Sequence, residues 1–340
     1  MAISATAYSP KQFTFLIAEQ DDFGTFNPDS GASPDLSWLA VDVDSIGSPN
    51  LNLNQVLDHR TGSRILQATD FFQDKLAKVI EISVSGTATT EVLDLLLSNI
   101  TVSDTSSPYH VASNTGAQTF TTATANQTDN QILSIAYNSP STGNTLAFKD
   151  CFCTQLVLSG DMGTEGGRVK FSATFKSGSL PEDLTDGVLA VDTAISSNDY
   201  FMTAWDADDR IVAGVANCLV NSFTLTVDND IVFAGATATG YELASRLGEV
   251  SATADFSTKY DANTDSMFEI WHDQSAGASQ GATLMGTDAT PSDGEFEFKF
   301  ASSVVTSVAF SEGDMMMVDI SVKALGAGIG SSTALFEVAC

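Results

Sequence analysis

"KLAKVIEISVSGTATTEVLDLLLSN", residues 75–99, and "RLGEVSATADFSTKYDANTDSMFEIWHDQ", residues 246–274, are two versions of one pattern. Each alternates apolar and polar residues, passes a turn, and continues with helical periodicity. In the first, Ile80, Ile82 and Val84 share one strand face. A threonine cap and Glu91 then open a helix whose apolar side is Val92, Leu93, Leu95 and Leu96. In the second, Met267, Phe268, Ile270 and Trp271 form that side, with Ser266 and Glu269 at capping-box spacing. Matching the opening pentapeptides would bury Ser251, Thr253 and Asp255. A slip of one residue buries Ala252, Ala254 and Phe256 instead, because one step exchanges the two faces of a strand.

A second echo lies further along. "TQLVLSGDMGTEGGRVKFSATFKSG" begins at Thr154 and "TSVAFSEGDMMMVDISVKALG" at Thr306, and each reads as strand, Gly-Asp-Met turn and strand. In the later hairpin Met316, Val318, Ile320 and Val322 take the inner face, and Met317, Asp319, Ser321 and Lys323 the outer. The order strand, helix, variable segment, hairpin therefore occurs twice. Gly, Pro and acidic residues in "SGSLPEDLTDG", residues 177–187, mark a linker between the copies. The expected organisation is mainly β, with two tandem units, residues 1–178 and 179–340, each flanked by one short α-helix.

Two segments stand outside the repeat. Residues 19–63 read as a long loop rich in turn formers, yet they carry Phe23, Phe26, Trp38 and Leu39. Residues 102–146 are dominated by Ser, Thr, Asn and Ala. Loops of this length inside compact units are commonly functional. The four apolar residues of the first are candidate contacts to a neighbouring subunit, or they fold back on their own sheet.

Charge narrows the function. The 340 residues carry 14 Lys and Arg against 43 Asp and Glu, a net of −29. Up to Gly178 there are 9 basic and 18 acidic residues, and after it 5 and 25, so the second half is the more acidic. Such a chain does not bind nucleic acid by neutralising phosphates, nor dock on an anionic membrane. No apolar stretch reaches membrane-spanning length. The N-terminus lacks the shape of a signal peptide, so the protein is expected to stay where it is made.

Catalytic patterns are missing. Cys151, Cys153, Cys218 and Cys340 have neither disulfide-framework nor zinc-ribbon spacing. His59, His110 and His272 are isolated from one another. "GAGIGSS" from Gly326 lacks the third glycine of a dinucleotide fingerprint, and "WDADDR" from Trp205 lacks the glycine and glutamate of a calcium loop. Catalytic, cofactor and metal sites are all expected to be absent, and the chain reads as a structural protein rather than an enzyme.

The strand "SFTLTVDND", the strand–turn–helix units and the hairpins at 154–178 and 306–326 resemble the tail tube (major tail) proteins of long-tailed bacteriophages. The resemblance implies β-sandwiches that join edge to edge in rings, with the rings stacked into a hollow virion tail assembled in the host cytoplasm. A two-unit chain would close such a ring with three copies and pseudo-sixfold symmetry. Tail terminator, distal tail and tape-measure proteins would be its partners, and DNA would pass without specific binding. In that setting the outward strand positions Glu81, Glu249, Asp255 and Asp319 are candidate acids of a negative lumen. Another virion β-sandwich, such as a capsid decoration or tail-completion protein, shares most of these features. A carbohydrate-binding jelly roll is a further alternative.

Overall fold

The computed structural model describes residues 13–20, 22–24, 38–47, 49, 55–57, 65, 71–73, 78–101, 103–104, 109–112, 118–121, 132–138, 145–163, 167–184, 191–192, 210–273, 283–286, 296–311, 315–326 and 335–339. The first strands are β1 (Thr14–Gln20), β2 (Trp38–Ala40), β3 (Val43–Ile46), β4 (Gln55–Leu57), β5 (Phe71–Gln73) and β6 (Ile80–Thr87). Helix α1 (Thr90–Ile100) precedes β7 (Ser103–Asp104), β8 (Tyr109–Ala112), β9 (Gln118–Thr121), β10 (Ile132–Asn138), β11 (Thr145–Asp161) and β12 (Lys170–Ser177). Then come β13 (Glu182–Leu184), β14 (Val191–Asp192), β15 (Arg210–Val212), β16 (Val215–Ala216), β17 (Val220–Asp228), β18 (Val232–Ala236), β19 (Tyr241–Arg246) and β20 (Ser251–Lys259). Helix α2 (Ala262–Asp273) leads to β21 (Thr283–Gly286), β22 (Glu297–Phe300), β23 (Ser303–Ser311), β24 (Met317–Ala324) and β25 (Phe336–Ala339). The protein is mainly β.

A row of eight antiparallel strands organises the molecule, in the order β3-β6-β12-β11-β17-β20-β24-β23. It is one sequence of four strands written twice, β3-β6-β12-β11 and β17-β20-β24-β23. Two irregularities recur at corresponding places. Opposite β6 the ladder skips Asp44, and opposite β20 it skips Asn221. Opposite β12 it skips Thr154, and opposite β24 it skips Thr306. An extra residue bends its strand and frees a side chain for other work. Here each threonine hydroxyl donates to the facing strand, Thr154 to the Thr174 carbonyl and Thr306 to the Ser321 carbonyl, both at 3.1 Å. Ile82 faces Phe175 in one row and Ala254 faces Val322 in the other, which is the register with Ala252, Ala254 and Phe256 inside.

Strand β11 is the branch point of one 13-stranded sheet. Its first residues pair with β10 and β13, and its later ones with β12 and β17. The switch falls at Asp150, whose φ of 53° is left-handed. Its buried carboxylate accepts from Gln20 Nε2 and the Gly24 amide, both at 2.7 Å, and from Ser179 Oγ at 2.6 Å. Gln20 Oε1 accepts from the Asp150 amide in return. Side-chain satisfaction of this kind lets a non-glycine residue hold such a conformation inside a protein.

The rows are backed by β14-β2-β1-β10-β11-β13 and by β16-β15-β21-β22-β25-β8-β7. Phenylalanines of the second layer fill the space behind its row: Phe298 lies 5.5 Å from Phe223 and 6.1 Å from Phe256 between ring centroids. At Gly86 any Cβ would sit 2.1 Å from the Asp42 carbonyl, so only glycine allows the chain to come this close to β6. Helix α1 is covered by the core through Val92, Leu93, Leu96, Leu97 and Ile100. Helix α2 starts a turn earlier than the Ser266–Glu269 spacing suggests. Asp261 Oδ1 caps it, accepting from the amides of Asn263 and Thr264 at 2.9 and 3.1 Å.

Hydrogen bonding crosses residue 178. Strand β8 pairs with β25, β9 with β19, β14 with β2, and β11 with β17. Residues 19–63 are also not one loop, since they contain β2, β3 and β4.

Candidate functional site

The open face of the eight-strand row is mostly polar, with Val157, Val304, Ala309 and Met317 as its apolar positions. Glu81, Ser83 and Ser85 on β6 continue into Lys170, Ser172, Thr174 and Lys176 on β12, and into Ser222, Thr224, Thr226 and Asp228 on β17. Asp255 and Lys259 on β20, and Asp319, Ser321 and Lys323 on β24, extend it. Three of the expected lumen acids, Glu81, Asp255 and Asp319, lie on this face, and Glu249 lies in the turn before β20. Cations accompany them. Lys170 pairs with Asp44 at 3.1 Å, Lys176 with Asp230 at 2.6 Å, and Lys323 with Glu249 at 3.7 Å. Four of the chain's 14 basic residues are on these strands, so the large acid excess is not concentrated here. Burial raises the Asp230 carboxyl, but hydrogen bonds from Lys176 and the Ile231 amide outweigh it and leave it below the usual range.

The expected contact residues of the 19–63 segment are placed differently. Phe23 is buried against Phe152, with 6.3 Å between ring centroids, and Trp38 is buried among Leu16, Ala18, Ala136 and Ala147. Both therefore serve this chain's own core rather than a neighbour, because β1 and β2 fold them under the sheet. Leu39 is half-buried against the main core, and Phe26 lies outside the described residues.

The two ends of the row differ from its middle. Within the chain, β11 of the first four strands meets β17 of the second over seven facing pairs. At the ends, β23 and β3 occupy the corresponding places, and each is hydrogen-bonded on one side only among the described residues. Counting four residues past each skipped threonine matches Leu158 with Phe310. Leu158 is 0 % exposed and Phe310 is 50 % exposed. The flanking helices repeat the contrast: the last turn of α1 is buried, whereas Trp271 in that of α2 is 41 % exposed. Phe310 stacks on Phe268 of α2 at 4.5 Å, so helix and strand present one apolar edge.

The internal joint is closed by Arg246, a residue the sequence does not mark. Its guanidinium is buried and donates to the carbonyls of Asn99 at 2.9 Å, Cys153 at 3.0 Å and Asn229. Burial lowers its pKa to about 10, still charged at neutral pH. The acceptors lie at the negative end of α1 and at the bend of β11, where a cation is favoured. Asn99 Nδ2 donates to the Cys151 carbonyl at 3.3 Å, and Asn229 Nδ2 to that of Ile100 at 2.7 Å.

Among the described residues no group of three His, Cys, Asp or Glu could hold a metal ion. Cys151, Cys153 and Cys218 are buried thiols; burial pushes Cys153 up to about 12 and Cys218 to about 11, and Cys151 further still. Such thiols are poor nucleophiles. No described helix is long and apolar enough to cross a membrane. No protein-family model matches this chain, and no curated protein matches it.

Proposed function

We propose that the protein is a structural subunit that joins copies of itself edge to edge into rings, and that these stack as the tail tube of a long-tailed bacteriophage. Each row of four strands with its backing layer would be one sandwich, so a chain supplies two of six similar positions and three chains close the ring. One observation carries this reading: the chain already contains the joint it would need between copies. Strand β17 sits on β11 inside the molecule, and the corresponding strands β3 and β23 stand open at its two ends.

A contact between different surfaces at opposite ends is head-to-tail, which closes into a ring when the rotation per subunit permits. Closure also removes the open strand edges that otherwise promote aggregation. Pro49 is compatible with such pairing. It corresponds to Thr226, five residues past the skipped position, and the main chain of Thr226 points toward β20, away from β11. The bore would then be lined by a hydroxyl-rich face of nearly balanced charge, and tail terminator, distal tail and tape-measure proteins would meet the ends of the tube.

The test is a disulfide across the seam. Ala309 corresponds to Val157 and Pro49 to Thr226, which face each other inside the chain. The double variant Ala309→Cys with Pro49→Cys should give a covalent ladder ending at three chains under oxidation. Val157→Cys with Thr226→Cys should cross-link only within one chain. Covalent dimers alone, or monomers at concentrations where the wild type associates, would overturn the reading.

A further inference from the structure

Ten large apolar side chains are exposed among the described residues, and none is on the open face of the row. Phe310 and Trp271 form the lateral edge, and Ile65 stands apart. The other seven fall at the two ends of the strands, each between 40 and 64 % exposed. At one end are Met162, Leu219, Met315 and Met316. The main chain places them side by side: the Met162 amide donates to the Asn221 carbonyl, Lys259 to Leu219, and Tyr260 to Met316, all at 3.0 Å. These bonds span β11, β17, β20 and β24, which are consecutive strands, so the four side chains lie along a rim about 15 Å long. At the opposite end are Val79, just before β6, Leu247, directly after β19, and Val232 at the start of β18.

We infer that the methionine rim of one copy docks on the Val79–Val232–Leu247 end of a second copy, as the axial contact between stacked rings. The inference rests on the ring reading for its geometry and deepens it by naming the stacking surface. Two features choose a second copy as the occupant. The apolar groups sit at opposite ends of the molecule, so they cannot meet within one copy, but copies translated along the strand direction bring one group onto the other. The methionines also occupy the turn of each hairpin, Met162 between β11 and β12 and Met315 between β23 and β24, so both four-strand units would offer the rim to every neighbour. Methionine suits such a surface, since its unbranched thioether adapts to the opposing shape. This contact takes the role that the sequence assigns to Phe23 and Trp38, which the fold buries.

The triple variant Met162→Gln, Met315→Gln and Met316→Gln tests it in the full-length chain. Sedimentation and electron microscopy would score ring closure and end-to-end association separately. Rings should form as in the wild type, while stacking weakens by roughly tenfold or more. Leu247→Gln with Val232→Thr should do the same from the other end. Mixed with wild type, each variant ring should terminate a stack at one end only. Stacking of the triple variant at wild-type concentrations would overturn the inference while leaving the rings intact. A wild-type chain that stacks without rings, yet still loses stacking on substitution, would support the rim and sink the lateral reading. A wild-type chain that stays monomeric at all concentrations would overturn both.

Discussion

Arg246, the last residue of β19, reaches α1 and donates to the main-chain oxygen of Asn99 at 2.9 Å, in the last turn of that helix. Without that guanidinium the buried carbonyls of Asn99, Cys153 and Asn229 lose their charged donor. Arg246→Met should therefore cost about 3 kcal/mol or more in urea unfolding. Arg246→Lys should recover little, because an ammonium cannot fork between acceptors on three segments. Equal stability of Arg246→Met and wild type would show that the joint is held by packing alone.

Thr154 and Thr306 make the same hydroxyl bond in different surroundings, one buried and one exposed. Thr154→Val should lower the stability of the isolated chain by about 1 kcal/mol. Thr306→Val should be nearly silent there, since water replaces the bond. Its effect is expected on association, once β23 is covered. Equal losses in the dilute chain would contradict this difference.

The buried thiols set an alkaline limit. Their folded pKa values lie above the unfolded value near 9, so the stability they confer is complete below pH 9 and is lost as pH rises toward 11 and beyond. For Cys151, Cys153 and Cys218 together the loss should approach 4 kcal/mol by about pH 10. Cys218→Ala should flatten the profile between pH 8 and 10, as read by denaturant titration at each pH. An unchanged slope would mean that these thiols ionise in place.

Peroxide should act selectively. It transfers one oxygen to a thioether and leaves water, turning an apolar tip into a polar sulfoxide. Met162, Met315 and Met316 are exposed, whereas Met267 is fully buried. Mass spectrometry should find the first three oxidised well before Met267, with a parallel loss of end-to-end association. Early oxidation of Met267 would mean that α2 opens readily.

The repeat was legible because its strands alternate cleanly and a wrong register would bury Asp255. The recurring threonines were visible too, as the first residues of both hairpins. Strands β8 and β9 were hidden: four residues each in a Ser, Thr and Asn-rich segment carry no readable period. Their pairing with β25 and β19 depends on partners more than a hundred residues away. Phe23 and Trp38 looked like surface residues because the turn formers around them mask β2 and the approach of β1. An arginine at the end of β19 reads as solvated, and only the fold shows three carbonyls converging on Arg246. Acid and lysine positions on alternating strands were readable, but which of them become neighbours across the sheet was not, since lateral neighbours come from distant sequence.

Strands β8 and β9 come from the first half of the chain and pair with β25 and β19 of the second, so the two halves are tied together in the other sheets as well as at the β11–β17 joint. A joint made within one polypeptide forms at an effective concentration fixed by the chain itself, so dilution leaves it untouched. A seam between β23 and β3 has no such tether, and its rate of formation follows the number of molecules in solution. Alternate seams of any closed assembly would then differ in reaction order: one kind is present from the moment the chain folds, and the other appears only above a threshold concentration. On dilution such an assembly would part into whole molecules, each with its eight-strand row intact.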